Sequence, residues 1–122
     1  AISFLKSFTA RRRTLVVAAA DLAHVGPVFG DAAPFDAGGR ARLADQDIES
    51  IAAICEGNAS DFFMLSQKES DSRRICGLPP IYMMLRLLER ATGESLGYTQ
   101  CPADANGGSL VSIAGMLLFE TV

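Results

Sequence analysis

The sequence predicts an α/β layered domain with a mixed sheet. Three observations carry that expectation. One continuous apolar run reads as a strand buried on both faces, several segments carry helical periodicity, and two β-rich stretches close the chain around a turn. The chain has 122 residues, nearly half of them hydrophobic, with a formal net charge of -3. That length suits one domain with a substantial core.

At the start, Ile2, Leu5 and Phe8 recur every third residue and predict a short amphipathic helix. Arg11, Arg12 and Arg13 follow, the only basic run. It reads either as a solvated helix end or as a contact for a phosphate or acidic partner. Thr14 to Ala20, TLVVAAA, is the apolar run and predicts a strand of a covered parallel sheet. Asp21 to Gly39 is rich in Gly, Pro, Ala and Asp, and reads as a long loop of the kind that carries function.

A helix is expected over Leu43 to Glu56, with Ile48, Ile51, Ala52 and Cys55 on its apolar stripe and Gly57 as its stop. Asn58 is placed to cap a second short helix, with Asp61 near its positive end and Phe62, Phe63 and Leu65 as its apolar surface. Gln67 to Arg74 is polar and reads as an exposed connection. Pro79 and Pro80 suit the first turn of a helix running from Ile81 to Thr92, buried along Ile81, Met84, Leu85 and Leu88 and ended by Gly93. Two strands, Glu94 to Cys101 and Ser109 to Phe119, are joined by PADANGG and predict an antiparallel pair. The last is apolar on both faces and is expected to be central. So few strands with so many apolar faces imply further neighbours, from a missing part of the chain or from a partner.

Several function classes are disfavoured. The acidic balance lacks the clustered basic face of a nucleic-acid binder. The longest apolar stretch, Leu110 to Phe119, falls short of the roughly 20 residues a helical membrane span needs. The N-terminal AISFLKSFTARRR places its charges after its apolar stretch, the reverse of a secretory signal. Three scattered cysteines, Cys55, Cys76 and Cys101, read as reduced thiols, which fits a cytoplasmic protein.

The chemistry concentrates at two places. Asp21-Leu22-Ala23-His24 follows the apolar run directly, and strand C-termini are where α/β sheets bind ligands. His24 is the only histidine. A carboxylate three residues away can fix its tautomer or share a metal with it; a capped turn with a surface histidine is the other reading. Cys76-Gly77 lies just before the Pro79 helix, where the positive end of the helix favours thiolate, the nucleophilic and metal-binding form. The other reading is an inert cysteine in a turn. Cys55 reads as core, Cys101 as structural, and Met83 and Met84 as packing. Asp21, His24 and Cys76 make three donors, the number a catalytic metal takes from protein, though the spacing does not require it. A cysteine hydrolase built on Cys76 and His24 is a further arrangement of the same residues.

Three segments together resemble a known family. TLVVAAADLAHVGPVFGD is similar to the Memo-like (AmmeMemoRadiSam system protein B) signature of an apolar strand, Asp-Leu-Ser-His, then Val-Gly and Phe-Gly. ICGLPPIYMMLRLLE resembles that family's Cys-Gly-x-x-Pro-Ile segment, and Leu96-Gly97-Tyr98-Thr99, Asp104 and the closing strand fit its end. The resemblance implies a three-layer α/β/α fold with a mixed sheet, similar to extradiol dioxygenases, of which residues 1–122 form the C-terminal portion. It implies a redox metal, iron or copper, with Cys76 and His24 as ligands and His24 and Asp21 as acid/base residues. It implies an oxidoreductase-like protein, with a non-catalytic interaction or scaffold module as the alternative. Ala23 stands where the family signature has Ser, Cys101 where Ser is common, and Ser112-Ile113 where Gly-Tyr is frequent. The other pocket histidines belong to the family's N-terminal half. The metal site is therefore expected to be incomplete here, and the partner to be that N-terminal half or a second copy.

Overall fold

The computed structural model describes residues 1–121. Among the described residues, four helices and three strands make up an α/β arrangement: α1 (Ile2–Thr9), β1 (His24–Val25), α2 (Ala37–Cys55), α3 (Ala59–Lys68), α4 (Leu78–Leu88), β2 (Ala91–Pro102) and β3 (Leu110–Glu120). A single 3-10 turn, Pro27–Phe29, follows β1.

The sheet order is β1-β3-β2, and both pairings are antiparallel. The closing strands pair as their composition predicts, from Ala91 opposite Glu120 to Pro102 opposite Leu110, with one irregularity between Ser95 and Gly97. β3 is central, as expected. The sheet is antiparallel rather than mixed, because the strand expected over Thr14 to Ala20 does not form. Those residues carry no regular secondary structure and form no ladder, although they face β3 across a groove. The chain joins the sheet only at Leu22, whose amide donates to the Ser112 carbonyl. A strand buried on both faces needs neighbours at both edges and layers above and below. This segment has β3 on one side only, across an apolar groove of about 320 Å³ lined by Val16, Ala18, Met84, Leu88, Met116 and Leu118. Leu15 is consequently 87% exposed and Val17 71%.

Helices α2, α3 and α4 cover one face of the sheet. Ile51, Ala53 and Ile54 of α2, Ala59 and Phe62 of α3, and Ile81 and Leu85 of α4 pack with Ile75 and Leu22. Tyr98, Ala114, Met116 and Leu118 meet them from the sheet. The alternation of β3 sends Ile113, Leu117 and Phe119 to the opposite face, where Phe119 is 64% exposed. Two layers are thus present among the described residues where the resemblance implied three, since no helix covers this second face. A smaller cluster, Ala23, Val25, Leu43 and Leu110, sits under the 3-10 turn end of the sheet.

Several elements differ from their expected limits. α2 begins at Ala37, six residues before Leu43, because the Asp36 carboxylate accepts the Gly39 amide and caps it. Its buried stripe runs through Leu43, Asp47, Ser50, Ile51, Ala53 and Ile54, so Ile48 and Ala52 face solvent. Asn58 caps α3 by accepting the Asp61 amide, as its position predicts. α4 stops at Leu88, with Glu89 in a left-handed conformation, and Gly93 lies inside β2.

The stripe of α2 turned because it buries a polar group. Arg73, expected in an exposed connection, is 3% exposed. Its guanidinium donates to Asp47 Oδ1 at 2.7 Å, to Ser50 Oγ at 2.9 Å and to Glu69 Oε1 at 2.7 Å. Tyr98 on β2 donates its hydroxyl to the other Asp47 oxygen at 2.7 Å. The network ties α2, the end of α3 and the sheet together with every hydrogen-bonding group engaged.

Arg73→Ala leaves Asp47 buried without its cation, and is expected to cost about 3–5 kcal/mol in denaturant unfolding. Burial, and then the hydrogen bond to Asp47, push the Tyr98 hydroxyl up to about 12. The neutral phenol is therefore the form the fold prefers. Its contribution is complete below the ordinary tyrosine range of about 10 and is lost as pH rises toward about 12. Ultraviolet titration should show Tyr98 ionising late, and Tyr98→Phe should remove that late transition.

Candidate functional site

Asp21, His24 and Cys76 come together at the end of the Thr14 to Ala20 segment. One donor atom from each lies within 4.8 Å of the others. The two motifs are far apart in sequence, and the main chain joins them. The Asp21 amide donates to Cys76 Sγ at 3.3 Å, and the Gly77 amide donates back to the Asp21 carbonyl at 3.0 Å. Asp21 is thereby laid against the residues that precede α4. Glycine is required at position 77, because a Cβ there would lie 2.7 Å from the Asp21 carbonyl oxygen and 2.8 Å from Ile81 Cδ1. The Cys-Gly pair is thus a packing requirement as well as a source of thiol.

His24 is held more completely. Its amide donates to the Arg73 carbonyl at 2.7 Å, and its ring Nδ1 lies 3.1 Å from the Arg74 carbonyl. Phe29 meets the ring edge-on, with centroids 5.2 Å apart. The other ring nitrogen, Nε2, is 3.9 Å from Asp21 Oδ2. That distance exceeds a hydrogen bond. It approaches the separation of two ligands on one ion, since metal–ligand bonds of about 2.0–2.3 Å place tetrahedral ligand atoms roughly 3.3–3.6 Å apart. Asp21 and Cys76 are exposed and His24 is half-buried, so an ion has a path in from solvent.

The loop between β1 and α2 is pinned from beneath. Asp31 accepts the Gly26 amide at 2.7 Å with one oxygen and the Arg74 guanidinium at 2.7 Å with the other. The guanidinium, and then the Gly26 amide, hold the Asp31 carboxyl below the usual carboxylate range. The clamp is therefore intact at neutral pH and is lost only as pH falls through that depressed value. Gly26, at φ +104°, passes so close to Gly108 and Ser109 that no side chain fits.

The structure therefore brings together all three residues singled out from sequence, Asp21, His24 and Cys76. Cys55 and Cys101 lie elsewhere: Cys55 packs against the main core and Cys101 is the penultimate residue of β2. Arg74, Arg73 and Asp31 support the site and were not singled out from sequence. The only hint available was a pair of arginines two residues ahead of the Cys-Gly pair.

The family model described as Memo-like protein matches residues 2–117. No curated protein and no solved structure matches significantly.

Gly77→Ala is expected to push the Asp21 main chain away from Cys76 and loosen the cluster. Thiol labelling should then become faster at Cys76 with little change at Cys101, while a variant with unchanged Cys76 labelling would show that the stitch does not govern the site.

Proposed function

Because the chain belongs to the Memo-like family, we propose that it carries part of the redox-metal site of an oxidoreductase-like, dioxygenase-related protein. The observation that supports this reading is the convergence of Asp21, His24 and Cys76 within 4.8 Å. Their chemistry fits the group. A thiolate is a soft ligand suited to copper, an imidazole suits iron and copper, and a carboxylate completes a mixed set. In this reading Cys76 and His24 are the ligands, and Asp21 and His24 handle protons beside them.

Iron or copper held there supplies one-electron redox chemistry and Lewis acidity. The protein's own part is to hold the thiol, imidazole and carboxylate together at a solvent-accessible edge. His24 is the single histidine of the sequence, so a histidine-richer pocket draws its remaining donors from another segment or chain. The chain by itself is then a metal-holding half-site without turnover.

The alternative, a non-catalytic interaction or scaffold module of the same family, is favoured by a separate observation. The Thr14 to Ala20 segment presents Leu15 and Val17 to solvent, and the uncovered sheet face presents Ile113, Leu117 and Phe119. Apolar area of this kind beside unpaired backbone suits association with an N-terminal half of the same protein or with a second copy. A cysteine hydrolase has less support, since no hydrogen bond joins Cys76 to His24 among the described residues.

The test is thiol labelling with and without anaerobic Fe(II) or Cu(I), mapped by mass spectrometry. Selective protection of Cys76 by metal is expected, weakened in His24→Ala. Cys55 serves as an internal reference that labels slowly in any case, because burial and the nearby Glu94 push its thiol up. Equal protection of all three cysteines, or none, would remove the metal reading and leave the interaction module.

A further inference from the structure

The half-site depends on which nitrogen of His24 carries its proton, and the residues around the ring decide this. Nδ1 lies 3.1 Å from the Arg74 carbonyl oxygen. A carbonyl only accepts, so a neutral ring that makes this bond carries its hydrogen on Nδ1. Nε2 then keeps its lone pair and faces Asp21. A carboxylate beside Nε2 draws the proton the other way, but at 3.9 Å it makes no hydrogen bond.

The position of that carbonyl is itself fixed by the Arg74 side chain. The Arg74 backbone is left-handed, at φ +49°. A non-glycine residue keeps this conformation only when its surroundings hold it there. Here the guanidinium reaches back over the same turn. It donates to the His24 carbonyl at 3.2 Å, to the Ser72 carbonyl at 3.3 Å and to Asp31 at 2.7 Å. Asp31 in turn receives the Gly26 amide, two residues beyond His24. Arg74 therefore grips His24 at both ends, with its carbonyl on the ring and its guanidinium on the main chain.

We propose that Arg74 is a positioning residue, which with Asp31 sets His24 as the Nδ1–H tautomer and turns the Nε2 lone pair toward Asp21 and Cys76. The proposal rests on the metal-site reading only for the use made of that lone pair. The tautomer itself is a property of the metal-free chain. Ligating histidines commonly have their orientation set by a partner on the second ring nitrogen, and a backbone carbonyl is one such partner.

The measurement is nitrogen NMR of the isotope-labelled, metal-free protein, at a pH where the ring is neutral. His24 is the only histidine, so the spectrum holds one imidazole. A protonated Nδ1 and an unprotonated Nε2 are expected. Arg74→Ala and Asp31→Asn should both move the ring toward the tautomer mixture of a solvated imidazole, and Arg74→Lys should restore part of the wild-type signal through Asp31. Asp36→Ala, which removes the α2 cap and leaves the clamp alone, should lower stability and leave the tautomer unchanged. A wild-type ring protonated on Nε2 overturns the proposal. So does an Nδ1–H ring that persists in Arg74→Ala and Asp31→Asn, or a tautomer that shifts equally in Asp36→Ala. If the clamp-dependent tautomer is found but metal fails to protect Cys76, this assignment stands and the metal reading falls.

Discussion

The Arg73 guanidinium lies in the interior among Asp47, Ser50 and Glu69, while its own carbonyl receives the His24 amide. A buried charge is tolerated only with such complete pairing, so the position of residue 73 is narrowly fixed. Everything on either side inherits that position. Arg74 follows and sets the ring of His24, and Cys76 follows two residues later against Asp21. On the far side of the network, Tyr98 connects Asp47 to the sheet. The interior polar network and the exposed Asp21–His24–Cys76 cluster are thus consecutive parts of one arrangement. Three positions of chain separate the buried Arg73 from Cys76.

Much of the site was legible in sequence because its residues are chemically unusual where they stand. A single histidine after an apolar run, and a cysteine before a proline-started helix, are local signals. Helix starts were legible where a side-chain cap marks them, as at Asn58. The β2–β3 pair was legible because a turn-rich segment separates two apolar stretches. Less could be read where tertiary burial overrode local pattern. The apolar stripe of α2 was expected along Ile48, Ile51, Ala52 and Cys55; Ile51 does face the core, but Ile48 and Ala52 do not, because Asp47 and Ser50 face inward to meet Arg73. No periodicity argument assigns an aspartate to a core. The same pairing made Gln67 to Arg74 look exposed when Arg73 is not.

The misplaced strand has a different cause. Thr14 to Ala20 has the composition of a strand covered on all sides, and composition reports what a segment requires of its surroundings. In this structure the surroundings supply β3 across a groove, and the segment stays outside the sheet with Leu15 and Val17 exposed. The uncovered face of β3 speaks to the same imbalance, since Leu117 and Phe119 point away from the helices. The apolar content of the sequence exceeds what the described layers bury.

That surplus bears on colloidal behaviour. Seven uncharged residues, mostly β-branched or small and outside any ladder, have the makings of a cross-β stacking segment. The tripled arginine at positions 11–13 sits immediately before them. In a parallel in-register stack, each added copy would bring three more positive charges against the last, so the run acts as an electrostatic gatekeeper. Such repulsion is screened by salt, so added salt weakens the barrier the three arginines raise against stacking through this segment.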